Sequence, residues 1–179
     1  MADIAHGDSP GLPPEQLETY FSLMEAVSLL QHAVERQLRA DGDLSSVQFQ
    51  ILASLAAHPD GRLTMTELAD GVVYSRSGLT YQAGLLEKAG LITRAPSADD
   101  ERATLVTITA AGRERVATVL PGHVEVAKTL LFAPLTGDDV RSLNDMMTRV
   151  RDHMRALPPR SAAPRKRRPA EPPAVPSPE

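Results

Sequence analysis

The chain has 179 residues, enough for one ordinary domain with appendages, and its 42% hydrophobic content can build a core. With 3% aromatic residues and no Trp, that core must be filled by Leu, Val, Ala and Met, and the absence of Cys excludes disulfides, thiolate metal sites and a thiol redox sensor. Charge is uneven: up to Met154, 13 Lys and Arg face 21 Asp and Glu, whereas from Arg155 onward 6 face 2.

The acidic body argues against a broad, sequence-indifferent nucleic-acid binder, while the basic end argues the other way. No apolar run approaches the length of a membrane span, and "MADIAHGDSPGLPPEQ" lacks the basic and apolar pattern of a signal peptide. The expectation is a soluble cytoplasmic protein with no membrane partner.

Residues 1–14, with three Pro and two Gly, read as a disordered leader. From Glu15 the pattern turns helical: Leu17, Met24, Val27, Val34 and Leu38 recur at helical spacing, and Tyr20, Phe21 and Leu30 widen the stripe. "DGD" at 41–43 breaks it. A second helix opens at "SSVQ", where Ser45 and Gln48 have capping-box spacing, and carries Phe49, Leu52 and Leu55 inward before stopping at "HPDG".

Thr64 and Glu67 form a second capping box ahead of a short helix holding Leu68 and Ala69, which ends near Gly71. Ser75 is placed to cap the next segment, "RSGLTYQAGLLEK", whose inward residues are Leu79, Ala83 and Leu86, with Gly90 in a C-terminal cap position. Short helix, tight turn and second helix outline a helix-turn-helix.

"LITR" and "ATLVTIT" are β-like runs, with Val106 and Ile108 facing inward and Thr107 outward. Thr109 is placed to cap "AAGRERVATVL", and Pro121-Gly122 should interrupt or kink that helix before "HVEVAKTLL" resumes. In the last helix Val140, Leu143, Met147, Val150, Met154 and Leu157 stand at steps of 3-4-3-4-3, a narrow seam suited to a partner helix. From Pro158 to 179 the chain is Pro, Ala and charge and reads as a disordered basic tail. Its "RKRR" suits a localisation signal, an electrostatic DNA hook or a solubilising run.

Between the two β-like runs, "APSADDERATLV" gathers three acids and one arginine on a loop, which by itself is an ordinary solvated turn. The flanks give it meaning. "QFQILASLA", "LTMTELAD", "SRSGLTYQAGLLEKAGLITR" and "SADDERATLVTITAAG", in that order, resemble the MarR family of bacterial transcription regulators. The last stretch is the most specific, with its Asp-x-x-Arg-x-x-x-Val run ending in a Thr-x-x-Gly helix start. The resemblance covers roughly Glu15 to Leu157 and excludes both ends.

It implies a mostly α fold with a small β-hairpin wing: a winged helix-turn-helix lobe at about 62–113, flanked by dimerisation helices at about 15–40 and 110–157. It also implies a homodimer that represses transcription from a pseudo-palindromic double-stranded DNA operator. Carried over from the family, Arg102 is the minor-groove contact, with Asp99 and then Asp100 bracing it. A guanidinium on an exposed hairpin suits the negative potential of a narrow minor groove, and a neighbouring carboxylate keeps it oriented.

A recognition helix meets base edges with its N-terminal residues, here Arg76, Ser77, Gly78, Thr80 and Tyr81. Thr64 and Thr66 open the preceding helix, whose N-terminus can present N–H groups to a phosphate. One departure from the family stands out: late in the recognition helix the chain has "AGLL", with Leu85 where an arginine is expected and a helix-weakening Gly84. From Arg62 to Arg113 six basic residues balance six acidic ones, so the reading head is neutral.

The family's effectors are commonly small aromatic or phenolic anions held between the dimer helices and the DNA-binding lobe; His32, Arg36 and His123 are the polar residues expected near such a pocket. No cofactor is expected. The five histidines lack metal-ligand spacing, no phosphate-binding glycine loop or GxSxG elbow occurs, and the acid pairs Asp99-Asp100 and Asp138-Asp139 are merely adjacent, so neither a metal site nor catalysis is expected. The rival reading is a winged-helix interaction or ligand-sensing module that has lost DNA binding, favoured by Leu85 and the neutral head and opposed by Arg76 and Arg102.

Overall fold

A computed structural model describes residues 11–72, 76–97 and 103–156. Ser75, Asp99, Asp100, Arg102, Leu157 and the basic tail lie outside the described residues, as does the side chain of Arg76. The chain divides into two compact units, Met1–Pro134 and Leu135–Glu179, a division that falls inside the expected domain 15–157.

In the first unit, α1 (Pro14–Gly42) begins one residue inside the expected leader, because Pro14 sits in the first turn, where a missing N–H costs nothing. It ends where Asp43 turns left-handed at φ 49° and its N–H returns to the carbonyls of Arg39 and Leu38. In α2 (Ser46–Ala57) the Ser45 hydroxyl accepts from the Gln48 N–H while the Gln48 side chain accepts from the Ser45 N–H, the expected capping box. A carboxylate joins from another helix: Glu35 accepts from the N–H of Ser46 at 2.7 Å and from its hydroxyl. Burial works against that carboxyl's charge, but the Ser46 bonds and Arg39 outweigh it and hold its pKa below the ordinary glutamate value.

Next come β1 (Arg62–Thr64), α3 (Met65–Val72), α4 (Arg76–Lys88), β2 (Ile92–Pro96) and β3 (Thr104–Ile108). The sheet has three strands in the order β1-β3-β2, all antiparallel, with Leu63 opposite Val106 and Ile92 opposite Ile108. The sequence led us to expect only a two-stranded hairpin. A three-residue strand shows no alternation to read, and β1 exists because β3 offers it an edge. Gly90, at φ +73°, ends α4 as expected and lets the Leu91 N–H return to Leu86.

The core lies between α1, α2, α3, α4, the sheet and α5 (Ala110–Ala127) and is almost wholly aliphatic: Leu38, Ile51, Leu52, Leu55, Leu79, Ala83, Val106 and Val119 have no exposed surface. Thr109 caps α5 by accepting from the Gly112 N–H, and its own hydroxyl donates to the Gly90 carbonyl. A Cβ on Gly112 would run into the Leu91 carbonyl and Ile108. The Thr-x-x-Gly start is thus a lock between α5 and the root of the hairpin.

Pro121 does not interrupt α5. Pro121 has no N–H to donate, and beside it Gln37 Nε2 on α1 donates to the Val119 carbonyl at 3.0 Å. The helix instead widens at Lys128–Phe132 into a π-turn, with the Ala133 N–H reaching the Lys128 carbonyl.

The second unit holds α6 (Gly137–Ala156). Thr136 and Asp139 cap it reciprocally, and the Thr136 hydroxyl and N–H keep the Asp139 carboxyl below its ordinary pKa. None of its residues is buried; Val140 and Leu143 are half-covered, and Met147, Val150 and Met154 are exposed. Among the described residues, no single helix is long and apolar enough to cross a membrane.

Candidate nucleic-acid interface

The inward face of α4 is fixed by Leu79, Ala83 and Leu86, so helical spacing leaves Ser77, Thr80, Tyr81 and Leu85 outward. Tyr81 is 65% exposed and Leu85 38%, while Gly78 is half-covered. Of the expected base-reading residues, Ser77, Thr80 and Tyr81 share one accessible face, and Arg76 opens the helix. Leu85 lies on that face too, which puts an apolar side chain where a basic one could meet DNA.

Thr64 stands differently. Its hydroxyl donates to Glu67 Oε2 at 2.8 Å and accepts the Glu67 N–H, while its N–H donates to the same carboxylate at 2.7 Å. Those bonds, backbone first and hydroxyl second, lower the Glu67 pKa. The side chain is committed to starting α3, whereas Thr66 is exposed.

The hairpin emerges beside α4. The Ser97 N–H bonds the Ala103 carbonyl at 2.8 Å and closes the ladder just before residues 98–102, which carry Asp99, Asp100 and Arg102. The sequence reading missed the contact that ties this hairpin to α4. Arg94 on β2 donates from Nε and Nη2 to Glu87 Oε2 at 3.0 and 2.6 Å, and its N–H donates to Oε1 at 3.1 Å. The Arg94 guanidinium, through its hydrogen bonds, holds the Glu87 carboxyl below its ordinary pKa. A Glu in the last turn of a helix and an Arg seven residues on, across a glycine turn, was the only trace in the sequence.

Of the three residues expected near an effector, Arg36 alone lines a groove. The open groove, of about 540 Å³ between α1, α5 and the π-turn, is also lined by Ala33, Gln37, Glu125, Val126, Thr129 and Leu130. His32 is exposed, and His123 is half-covered with its ring 4.7 Å from that of Phe49. The Nδ1 of His123 and the Oε1 of Gln37 are buried without a partner among the described residues.

Residues 42–103, spanning the lobe from the end of α1 to the far side of the hairpin, match the family model described as MarR family. The fold is similar to that of Sco3205, a MarR family transcriptional regulator from Streptomyces coelicolor solved in complex with DNA. Identity is 33%, the TM-score is 0.77, and the match covers 80% of this chain and 94% of that one. The chain belongs to the MarR family.

A second member from Streptomyces coelicolor, AbsC, matches at 25% identity and a TM-score of 0.76, covering 82% of this regulator and 98% of AbsC. The HTH-type transcriptional repressor YetL of Bacillus subtilis is 31% identical over 107 residues, 60% of this chain; the chain spans 64% of that repressor's length. The expected winged helix fold is thus that of MarR regulators, its sheet having three strands rather than the two expected. The family is one of transcription regulators rather than enzymes.

Proposed function

We propose that this MarR regulator acts in the cytoplasm as a homodimer that binds a pseudo-palindromic double-stranded DNA operator and represses transcription. The observation that carries this reading is α4: one face is locked into the core by Leu79, Ala83 and Leu86, and the other offers Ser77, Thr80 and Tyr81 beside the β2–β3 hairpin. In that arrangement α4 enters the major groove while Arg102 on the hairpin reaches the adjacent minor groove with Asp99 and Asp100 bracing it. The segment 62–113 is the DNA-binding lobe, and 15–40 and 110–157 supply the dimer interface. The DNA-bound relative and the repressor among the relatives support both halves of the reading.

Ligand response belongs to the same proposal. The groove beside Arg36 has Ala33, Val126 and Leu130 as its apolar wall and carries both Arg36 and Glu125; the Arg36 guanidinium is the group that would meet the charge of a small aromatic or phenolic anion, with Glu125 set against it. Exposed Leu85 favours the second reading, a winged-helix interaction or ligand-sensing module without strong DNA binding.

The test is a selection from randomised duplexes on the purified protein, followed by fluorescence anisotropy with the winning duplex and a scrambled control. A preferred palindromic duplex is expected, with Arg102→Ala weakening it by roughly 1–3 kcal/mol and leaving the melting temperature unchanged. No preference for any duplex overturns the DNA-binding reading in favour of the module.

A further inference from the structure

We infer that Glu87 and Arg94 form a positioning clamp that sets the angle between the reading helix and the wing. The inference rests on the DNA-binding reading above. Strand β2 lies at the edge of the sheet, hydrogen-bonded on one side only, to β3. What aims the hairpin relative to α4 is therefore its root, where Leu91 and Ile92 are buried, the pairing of β3 with β1 from Thr107 to Leu105, and whatever ties β2 itself to the helix. The clamp is that hold. Three hydrogen bonds from one arginine to one carboxylate join the last turn of α4 to the middle of β2.

Gly84, one turn before Glu87, completes the seat. A Cβ there would stand 3.8 Å from Arg94 Nη2, so the guanidinium lies close over a stretch of helix that carries no side chain.

A hairpin is a lever. From Ile92 to Ser97 the strand runs roughly 16 Å, so a tilt of about 10° at the root displaces Ser97 by about 3 Å. Simultaneous contact with a major and an adjacent minor groove does not tolerate that displacement. The clamp therefore matters for the operator, where both contacts must register, and hardly at all for sequence-indifferent contacts to phosphates.

The sign of the charges makes this testable. If the pair acted only through its charge near DNA, removing the acid would strengthen binding and removing the arginine would weaken it. A clamp predicts that both changes weaken the operator complex.

Glu87→Gln, Arg94→Gln and the double variant are compared with the wild type on the duplex recovered from the selection and on a scrambled duplex. Each single variant should bind the selected duplex about tenfold more weakly. The double should lose no more than either single, and in the Glu87→Gln background Arg102→Ala should have little left to remove. On scrambled DNA, Glu87→Gln should bind as tightly as the wild type or tighter. Melting temperatures should stay within a degree or two, because a partly exposed ion pair contributes little to stability.

Operator binding unchanged or strengthened by Glu87→Gln overturns the clamp while leaving the DNA-binding reading intact. Equal losses on both duplexes, or losses that simply add, also overturn it. A wild-type protein that prefers no duplex overturns the reading and the clamp together.

Discussion

The winged lobe and the long outer helices use the same helical apolar spacing and meet opposite fates. In α2 and α4 the stripe residues Leu52, Leu55, Leu79 and Leu86 vanish into the core; in the first half of α1, Leu17, Tyr20, Phe21, Met24 and Val27 stay in solvent, Phe21 at 60%. In α6, Met147, Val150 and Met154 do the same. Each fully buried Leu or Val contributes roughly 1.5–3 kcal/mol, and the exposed stripes forgo that gain within the single chain. A periodicity that is satisfied marks a core; one left open on a long helix is the surface that the proposed homodimer would cover.

The sharpest way to break this comparison is to charge an open stripe. Met147→Asp with Val150→Asp should leave the lobe folded and weaken self-association by about a thousandfold, because two carboxylates would enter an apolar seam unpaired. Size-exclusion chromatography with light scattering reads the change, and an unaltered dimer would show that α6 is no part of the interface.

The same test applied to the closed region should unfold rather than dissociate. Gly112→Ala drives a methyl group into the Leu91 carbonyl, backbone that cannot swing aside. A loss of about 3 kcal/mol is expected, or a melting temperature lower by roughly 6–12 °C. A variant that melts like the wild type would mean that the α5–hairpin lock yields.

Smaller effects sharpen the lobe's electrostatics. Glu35→Gln should cost about 1 kcal/mol in denaturant unfolding, since a charged cap at the start of α2 becomes a neutral one. Glu35, Glu67, Glu87 and Asp139 all titrate below their ordinary values. The unfolded chain therefore binds protons first as the pH falls, so these groups stabilise fully above the ordinary carboxylate range and lose that contribution below about pH 4. Stability measured against pH should be flat from neutral to about pH 5 and then fall, with a shallower fall in Glu35→Gln. An acid limb identical in the variant would count against the Glu35 cap.

What could be read from the sequence follows from distance along the chain. The Ser45–Gln48 and Thr64–Glu67 boxes, the Thr109 cap and the Gly90 turn are all decided within a few residues, and all appear as read. Strand β1 was missed because its partner lies more than forty residues away and it has only three residues of its own. Of the interruption or kink expected at Pro121-Gly122, the interruption does not occur: α5 runs through Pro121 from Ala110 to Ala127. In the candidate site, the outward placement of Ser77, Thr80 and Tyr81 was legible from the Leu79-Ala83-Leu86 face. The Glu87–Arg94 bridge was not, because it needs the turn at Gly90 to bring the strand back over the helix.

The account's central claim is that the open stripes of α1 and α6 are covered by a second copy, so that two reading heads meet one operator. Sedimentation equilibrium of the full chain at micromolar concentration tests it most directly. The expected mass is close to twice the 19.3 kDa of the single chain, rising only by the mass of one duplex when DNA is added. A mass of one chain, with or without DNA, would contradict it.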